Sequence, residues 1–499
     1  MAKAKKAETA AKAQVEEKAA EGSLLDQIVQ DSGMSADVAS QKRGRDLVQE
    51  FVAQVLEGEM TISHDTEAMI NSRIAQIDHL ISLQLSEIMH APEFQKLEAS
   101  WRGLFYLLER SETSAKLKIR VMNATKKELL RDLQRAAEFD QSAIFKKVYE
   151  EEYGVFGGEP FGAIIGDYEF GNHPEDMELL ERMSNVAAAA HAPFLSAASP
   201  DLLNLDSYAD LGRPRDISKI FDTTMHSKWK SFREREDSRY VGLTLPHILM
   251  RVPYGHDTAS VEAFNYEEGV DGTDHNKYLW GNAAYALGAR LTEAFGRYGW
   301  CAAIRGVEGG GLVEGLPTHT FHTDEGDLAM KCPTEIAITD RREKELADQG
   351  LIPLVHCKGR DYAAFFSVQS TQKPKIYNKD DATANARLSA QLPYLLAVCR
   401  FAHYLKAMMR DKIGSFMSRR ECERFLNSWI RNYTIANDDA PFATKAKNPL
   451  RDARVDVSEI PGKPGAYRAV AYLRPHFQLD EIGVSLRLVA DLPPPVGKG

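Results

Sequence analysis

The sequence predicts a mixed α/β (α+β) protein of several domains. Three features predict it: a strongly helical first quarter, alternating strand-like and helix-like segments from about residue 115, and strand-like segments in the last 60 residues. The chain has 499 residues, and at roughly 100–200 residues per domain this length indicates two to four domains. We expect a flexible tail over 1–22, N-terminal helices and a linker over 23–75, a central α/β domain over 76–380 and a C-terminal domain over 381–499.

Composition narrows the class of protein. The chain is 43% hydrophobic, enough for a sizeable core. Its net charge of −10 differs from the basic charge that is typical of a general nucleic-acid binder. Its five cysteines are an odd number without a C-x-x-C pair, so we expect reduced thiols and a cytoplasmic protein. An apolar secretory segment and a run of 18 apolar residues are both missing from the sequence, so we expect no signal peptide and no membrane insertion.

A short amphipathic segment follows the Ala/Lys/Glu-rich tail. Ser23 is a suitable helix N-cap, and Gly33 is a suitable end. The apolar residues between them fall on one face of a helix: Leu24, Leu25, Ile28 and Val29. Such a face either belongs to a core or docks into the groove of a partner, and the pattern alone leaves both interpretations open.

Three longer helices are predicted next. Apolar residues recur at helical spacing over 45–56, from about residue 63 to Pro92, and over 94–108. Beyond them, strands are predicted at 117–121, 161–165 and 192–195, with helices at 125–138 and 174–190 between them. Further helices are predicted at 381–411 and 418–431, and the Gly- and Asp-rich stretches 253–280 and 305–335 indicate long loops.

The C-terminus is predicted to hold two strands, at about 467–474 and 483–490. A Pro/Gly-rich stretch, 461–465, precedes the first of them. A two-stranded hairpin is marginally stable by itself in water. We therefore expect these strands to join a larger sheet, and an exposed strand edge is open to a strand from another chain.

Few residues indicate catalysis. His319, His322 and Asp324 lie in a stretch whose side chains could bind zinc, but the spacing matches no standard zinc motif, and a polar surface loop is the simpler interpretation. The Gly-rich stretch 305–311 lacks the Walker A pattern. Cys332 has no base beside it in the sequence, so it resembles an inert small hydrophobic residue. We expect no catalytic residue, no metal and no cofactor.

Five separated segments resemble the large sheath subunit of type VI secretion systems, the TssC/VipB family. They are HAPEFQKLEASWRGLFYLL (90–108), FGAIIGDYEF (161–170), AAAAHAPFLSAASP (187–200), CRFAHYLKAMMRDKIGSF (399–416) and YLRPHFQLDEI (472–482). The likeness covers nearly the whole chain from about residue 23, and five long matches in the same order make it specific.

The resemblance implies a structural role in a contractile machine. It implies that the chain pairs with a small sheath subunit and polymerises with neighbouring protomers into a six-fold helical tube around an inner tube, on a baseplate. It also implies contraction that propels the inner tube and its effectors into a target cell. Recycling by a ClpV-type AAA+ ATPase would follow. From the net charge we expect no nucleic-acid partner. By position, the ATPase-recognition helix would be the segment of Leu24, Leu25, Ile28 and Val29. It also implies a phage-tail-sheath-like C-terminal domain whose strands are shared between protomers, here carried by Tyr467, Ala469, Ala471, Leu473, Val484, Leu486 and Leu488. An N-terminal linking strand is expected near 57–64.

Two other functions remain open at the level of sequence. One is a metal-dependent hydrolase that uses His319, His322 and Asp324. The other is the sheath of a different phage-tail-like contractile particle.

Overall fold

The computed structural model describes residues 66–476 and 478 except for 214–215, 273, 323–327, 414, 416–417, 438, 462–466 and the side chains of Thr66, Glu67, Met69 and His322. Within them the chain divides into a small unit that holds residues 66–84 and 261–267, and a main unit that holds the rest. Everything below concerns the main unit unless the small unit is named. Among the described residues, no helix is both long enough and apolar enough to cross a membrane.

Helices occur along the whole described chain. In order they are α1 Thr66–Met89, α2 Pro92–Glu109, α3 Lys126–Arg135, α4 Ala143–Phe145, α5 Pro174–Ala190, α6 Ile217–Phe221, α7 Ser227–Glu234, α8 Ala284–Tyr298, α9 Asp340–Asp348, α10 Asp380–Ser389, α11 Leu392–Asp411, α12 Arg419–Arg431 and α13 Phe442–Lys447. A π-helical stretch, Lys146–Tyr153, continues α4.

Local sequence explains several helix ends. Thr125 caps α3 in a reciprocal capping box with Glu128, and Ser418 caps α12 in the same way with Glu421. Each pair satisfies backbone N–H groups that the first helical turn leaves free. Helix α5 starts with Pro174, whose missing N–H costs nothing at a helix start, and it ends where His191 adopts a left-handed conformation with φ 52°.

Half of the described strands belong to one sheet. The strands are β1 Ile164–Phe170, β2 Phe194–Ala198, β3 Val241–Leu245, β4 Ile248–Leu249, β5 Trp280–Gly281, β6 Leu312–Val313, β7 Thr320–His322, β8 Leu328–Met330, β9 Ile352–His356, β10 Ala363–Phe365, β11 Leu450–Glu459 and β12 Tyr467–Pro475. The main sheet has the order β1-β2-β3-β9-β10-β6. Strands β1, β2, β3 and β9 pair in parallel, whereas β10 pairs antiparallel with β9 on one side and with β6 on the other.

Helices cover both faces of the main sheet. Phe194 and Ala198 belong to a core built around α5. Leu195, which lies between them, belongs to a second core with Leu287 of α8, because successive side chains of a strand point to opposite faces. Burial on both faces explains why β2 and β3 are buried at every position. The predicted α/β class is thus confirmed.

The C-terminal part has a core of its own. Trp300 and Phe401 stack with ring centroids 4.1 Å apart. Around them pack Leu426 and Ile430 from α12 and the inward-facing residues of β11. This third core holds the antiparallel β11–β12 ribbon against α12.

Several sequence predictions need correction. Residues 117–121 form no strand; instead Lys118 and Arg120 pair with Glu159, and a strand requires a neighbouring strand. The strand predicted at 161–165 lies at Ile164–Phe170. The helix predicted over 381–411 is two helices. At the break the Ala390 carbonyl oxygen accepts from the Ser370 N–H, and the Leu392 N–H donates to the Val368 carbonyl oxygen. Pro393 lies in the first turn of the second helix.

Candidate assembly surfaces

The first candidate surface is the β11–β12 ribbon. Val455 lies opposite Ala471 and Val457 opposite Ala469. The sequence analysis missed β11, although Ala453, Val455 and Val457 alternate with polar residues in the period of a half-buried strand. The Pro/Gly-rich stretch therefore lies between β11 and β12, whereas the second predicted C-terminal strand, at about 483–490, lies outside the described residues.

The predicted inter-protomer residues of β12 lie on this ribbon. Tyr467, Ala471 and Leu473 pack against the third core, while Val470 and Tyr472 are exposed. Among the described residues, only β11 pairs with β12, so the outer edge of β12 has no strand beside it in this part of the chain. Val484, Leu486, Leu488 and the expected linking strand at 57–64 lie outside the described residues, and so does the segment of Leu24, Leu25, Ile28 and Val29.

The second candidate surface is the outward face of α2. Its inward face packs against α8 and consists of two small residues and one leucine: Ala99, Gly103 and Leu107. Its outward face carries large apolar side chains at helical spacing: Phe94, Leu97, Trp101, Phe105 and Leu108, with exposed fractions between 38% and 66%. We call these five residues the α2 stripe. A helix that is apolar on two faces is normally covered on both, so the α2 stripe has the composition of a binding surface.

A similar stripe runs along α1 within the small unit. Ile70, Ile74, Ile77 and Ile81 are all exposed, and they recur with the spacing four, three, four. This spacing is that of the apolar seam of a coiled coil. The helix therefore presents a row of isoleucines suited to contact with another helix.

The proposed metal loop gives little support to catalysis. His319 is 5% exposed, so the expectation of a polar surface loop is wrong for this residue. Its Nδ1 lies 2.7 Å from the Tyr278 hydroxyl, and burial lowers the pKa of its imidazole. Asp324 and the side chain of His322 are outside the described residues. In the part of the chain that is described, no group of three His, Cys, Asp or Glu side chains could hold a metal ion.

A thiol–imidazole pair was missed because its members are far apart in sequence. Burial opposes ionisation of Cys332, but hydrogen bonds with His356 and Thr334 outweigh it and lower the pKa of the thiol. His356 Nε2 lies 2.6 Å from the Arg360 carbonyl oxygen. Because a carbonyl only accepts, Nε2 donates there, and Nδ1 is the ring nitrogen that remains able to accept a proton. His356 is therefore a base that acts on the Cys332 thiol, which the sequence did not reveal.

A half-buried cluster joins two histidines and two glutamates, of which Glu169 is the most exposed. His247 lies between Glu335, at 2.5 Å, and Glu169, at 3.0 Å, and His275 contacts the other oxygen of Glu335 at 3.1 Å. Burial disfavours the charged imidazole, but the two carboxylates raise the pKa of His247 to about 10. Burial raises the pKa of Glu335, but hydrogen bonds and charge interactions with His247 and His275 outweigh burial and lower this pKa to about 2. The cluster fixes the end of β1 to the segments around β4 and β8.

Family models cover most of the chain. The model described as EvpB/VC_A0108, tail sheath N-terminal domain, matches residues 71–372, more than half of the sequence. The chain belongs to the VipB family of type VI secretion sheath proteins. A second model of the same family, described as EvpB/VC_A0108, tail sheath gpW/gp25-like domain, matches residues 381–492. The TssC/VipB resemblance is thereby confirmed.

Known relatives agree with this assignment. This VipB-family chain is 53% identical over 450 residues to the type VI secretion system sheath protein TssC1 of Pseudomonas aeruginosa, which covers 89% of this chain and 90% of the relative. The chain is thus a type VI secretion sheath protein, and of the two sheath interpretations the type VI form is the one supported.

Two solved structures are also similar. They are the six-fold symmetrised baseplate and the contracted helical sheath of the anti-feeding prophage, with TM-scores of 0.34 and 0.30 and 10% identity to this chain. The matches cover 63% and 62% of this chain and 66% of each of those chains. Likenesses of this size do not bear on the assembly of the chain.

Proposed function

We propose that this VipB-family chain is the large structural subunit of a contractile sheath in the cytoplasm. It pairs with a small sheath subunit and polymerises with neighbouring protomers into a six-fold helical tube that assembles on a baseplate around an inner tube protein. The observation that carries the proposal is the outer edge of β12, which has no strand beside it among the described residues. A helical polymer needs contacts between different surfaces of successive copies, and strand addition at such an edge provides them.

The α2 stripe supports pairing with a second polypeptide. Trp101 and Phe105 are 66% and 64% exposed, and covering a large apolar side chain contributes about 1.5–3 kcal/mol. Aromatic side chains are also enriched where partners contribute most binding energy. We assign this surface to the small sheath subunit, which would present an apolar helix or groove to it.

Contraction is proposed to draw on energy stored in the extended lattice. Subunits would repack into an arrangement of lower free energy as the sheath shortens, since packed interfaces switch between discrete arrangements. The chain would thus work as a structural subunit that uses no cofactor and no catalytic residue. Its domains are proposed to be 1–22, 23–75, 76–380 and 381–499, as in the sequence prediction.

Recycling is proposed to depend on the N-terminal segment. Leu24, Leu25, Ile28 and Val29 would bind a ClpV-type ATPase after contraction. A deletion of residues 1–35 should leave tube assembly intact and abolish disassembly by the ATPase in a light-scattering assay. Loss of assembly in this variant would contradict the assignment of the segment.

Co-expression tests the central proposal. The full chain is produced with and without the small sheath subunit encoded beside it, and the lysates are compared by negative-stain electron microscopy. Hollow tubules that require both chains are the expected result. Discrete particles without tubules across several salt concentrations would overturn it.

A further inference from the structure

The outer edge of β11 is occupied by a side chain of its own domain. Asn427 of α12 accepts a hydrogen bond from the Val455 N–H at 3.0 Å and donates one to the Val455 carbonyl oxygen at 2.6 Å. Its second N–H donates to the Glu423 carbonyl oxygen at 2.8 Å. A side-chain amide offers a donor and an acceptor together, so Asn427 presents to Val455 the same pair of groups that a neighbouring strand would present.

Other contacts occupy the same edge on both sides of Val455. Arg419 donates to the Val457 carbonyl oxygen at 3.4 Å. Leu450 bonds through its N–H to the Tyr433 carbonyl oxygen and through its carbonyl oxygen to the Ile435 N–H. A strand that joins β11 on this side must therefore replace bonds that the chain already makes there.

The bonds of Asn427 also fix the orientation of the opposite strand. Both main-chain groups of Val455 point away from β12, so Val455 and Ala471 are a non-hydrogen-bonded pair of the antiparallel ladder. The N–H and C=O groups of Ala471, and by alternation those of Ala469 and Leu473, therefore point to the outer edge of β12. No described residue pairs with that edge.

We infer that Asn427 is a specificity-determining residue of sheath assembly: its amide closes the β11 edge, so that an incoming strand of another chain adds only beside β12. This inference rests on the proposed strand sharing and adds which edge is used. Native sheets commonly cover one edge to prevent unwanted pairing. Here the Asn427 side chain covers the β11 edge, so the N–H and C=O groups of Ala469, Ala471 and Leu473 remain to pair with an incoming strand and to set its register.

Backbone hydrogen–deuterium exchange on the wild-type full chain provides the first test. In the chain before assembly, the Val455 amide should exchange slowly and the amides of Ala469, Ala471 and Leu473 quickly. In assembled tubules, exchange of these three amides should slow by roughly tenfold or more, while exchange at Val455 should not change. Unchanged exchange along β12 in tubules, or new protection along β11, would overturn the inference.

A matched pair of variants provides the second test. Asn427→Leu keeps a similar volume and removes both bonds to Val455, and Ser428→Leu places the same side chain at the exposed neighbouring position of α12. Asn427→Leu should speed exchange at Val455 by roughly tenfold and replace regular tubules by irregular aggregates, whereas Ser428→Leu should form regular tubules. Regular tubules from Asn427→Leu would overturn the inference.

The outcomes separate this inference from the proposed function. Failure of the wild-type chain to form tubules with the small subunit would overturn strand sharing itself. If Asn427→Leu fails to fold, the exchange pattern of the wild-type chain still shows whether β12 alone, or both β11 and β12, can accept a strand.

Discussion

Gly103 of α2 lies directly against the ring of Tyr285 of α8. A Cβ atom at Gly103 would lie 2.4 Å from both Cδ2 and Cε2 of that ring, which is far inside van der Waals contact. The close approach of the two helices at this point sets the orientation of α2, and with it the outward direction of the α2 stripe.

Gly103→Ala should therefore destabilise the protein. Overpacking a close contact of this kind costs about 1–3 kcal/mol, to be measured as a lower midpoint of urea unfolding. Gly296→Ala is the matched control on α8, because a Cβ there meets nothing within 4 Å, and the change should be neutral or stabilising by up to about 1 kcal/mol. Equal effects of both substitutions would contradict the assigned contact.

Trp101→Glu combined with Phe105→Glu should abolish pairing with the small subunit while the chain stays folded. Both side chains are mostly exposed, so the free energy of unfolding should change by less than about 0.5 kcal/mol per substitution. Co-purification with the small subunit measures pairing, and thermal unfolding measures stability. Glu109→Lys, exposed at the end of the same helix, is the control that should pair normally. Undiminished pairing of the double variant would exclude the α2 stripe as the contact.

His403 should make the protein less stable in mild acid. Its Nε2–H donates to the Ala190 carbonyl oxygen at 2.9 Å, and burial lowers the pKa of this 3% exposed imidazole to about 4. In the unfolded chain the His403 imidazole is protonated near pH 6.5. The stability that depends on a neutral His403 is therefore complete above pH 6.5 and is lost as pH falls towards 4. At 1.36 kcal/mol per pKa unit, the loss is at most about 3 kcal/mol.

Urea unfolding of wild type and His403→Gln between pH 7 and pH 4.5 measures this contribution. Burial lowers the pKa of the neighbouring His191 as well, so the variant should retain part of the acid sensitivity. The stability difference between the two proteins should shrink as pH falls. A difference independent of pH would show that His403 does not cause the loss.

Cys332 should be the most reactive of the cysteines whose pKa is shifted. A lower thiol pKa gives more thiolate at neutral pH, and the thiolate is the nucleophile. Burial raises the pKa of Cys301 and of Cys399 to about 12, so these two are controls within the same molecule. Iodoacetamide labelling at pH 7.5, followed by mass spectrometry, should modify Cys332 before Cys301 and Cys399. In His356→Gln the rate at Cys332 should fall roughly threefold to tenfold, and an unchanged rate would mean that His356 does not assist the thiol.

The helices with strong local signals were predictable from sequence. The prediction over 174–190 matches α5 at both ends, because Pro174, the apolar period and the stop at His191 all act within a few residues. Helix α12, predicted at 418–431, also begins at a local signal, the capping box of Ser418 and Glu421. The apolar spacing of the α2 stripe is also visible in the sequence, but its exposure is not, since periodicity does not distinguish the face that meets α8 from the face that meets a partner.

The remaining features depend on contacts between distant residues. The sequence by itself determined the mixed α/β class, the helices α1, α2, α3, α5 and α12 and, through five long segments, the sheath family. Only the tertiary structure decided that Leu117, Ile119 and Val121 form no strand, that β12 pairs with β11, that His356 faces Cys332 and that Asn427 closes the edge of β11. A helix is specified by residues three and four positions apart, whereas strand pairing, a closed sheet edge and a perturbed pKa depend on groups that only the folded chain brings together.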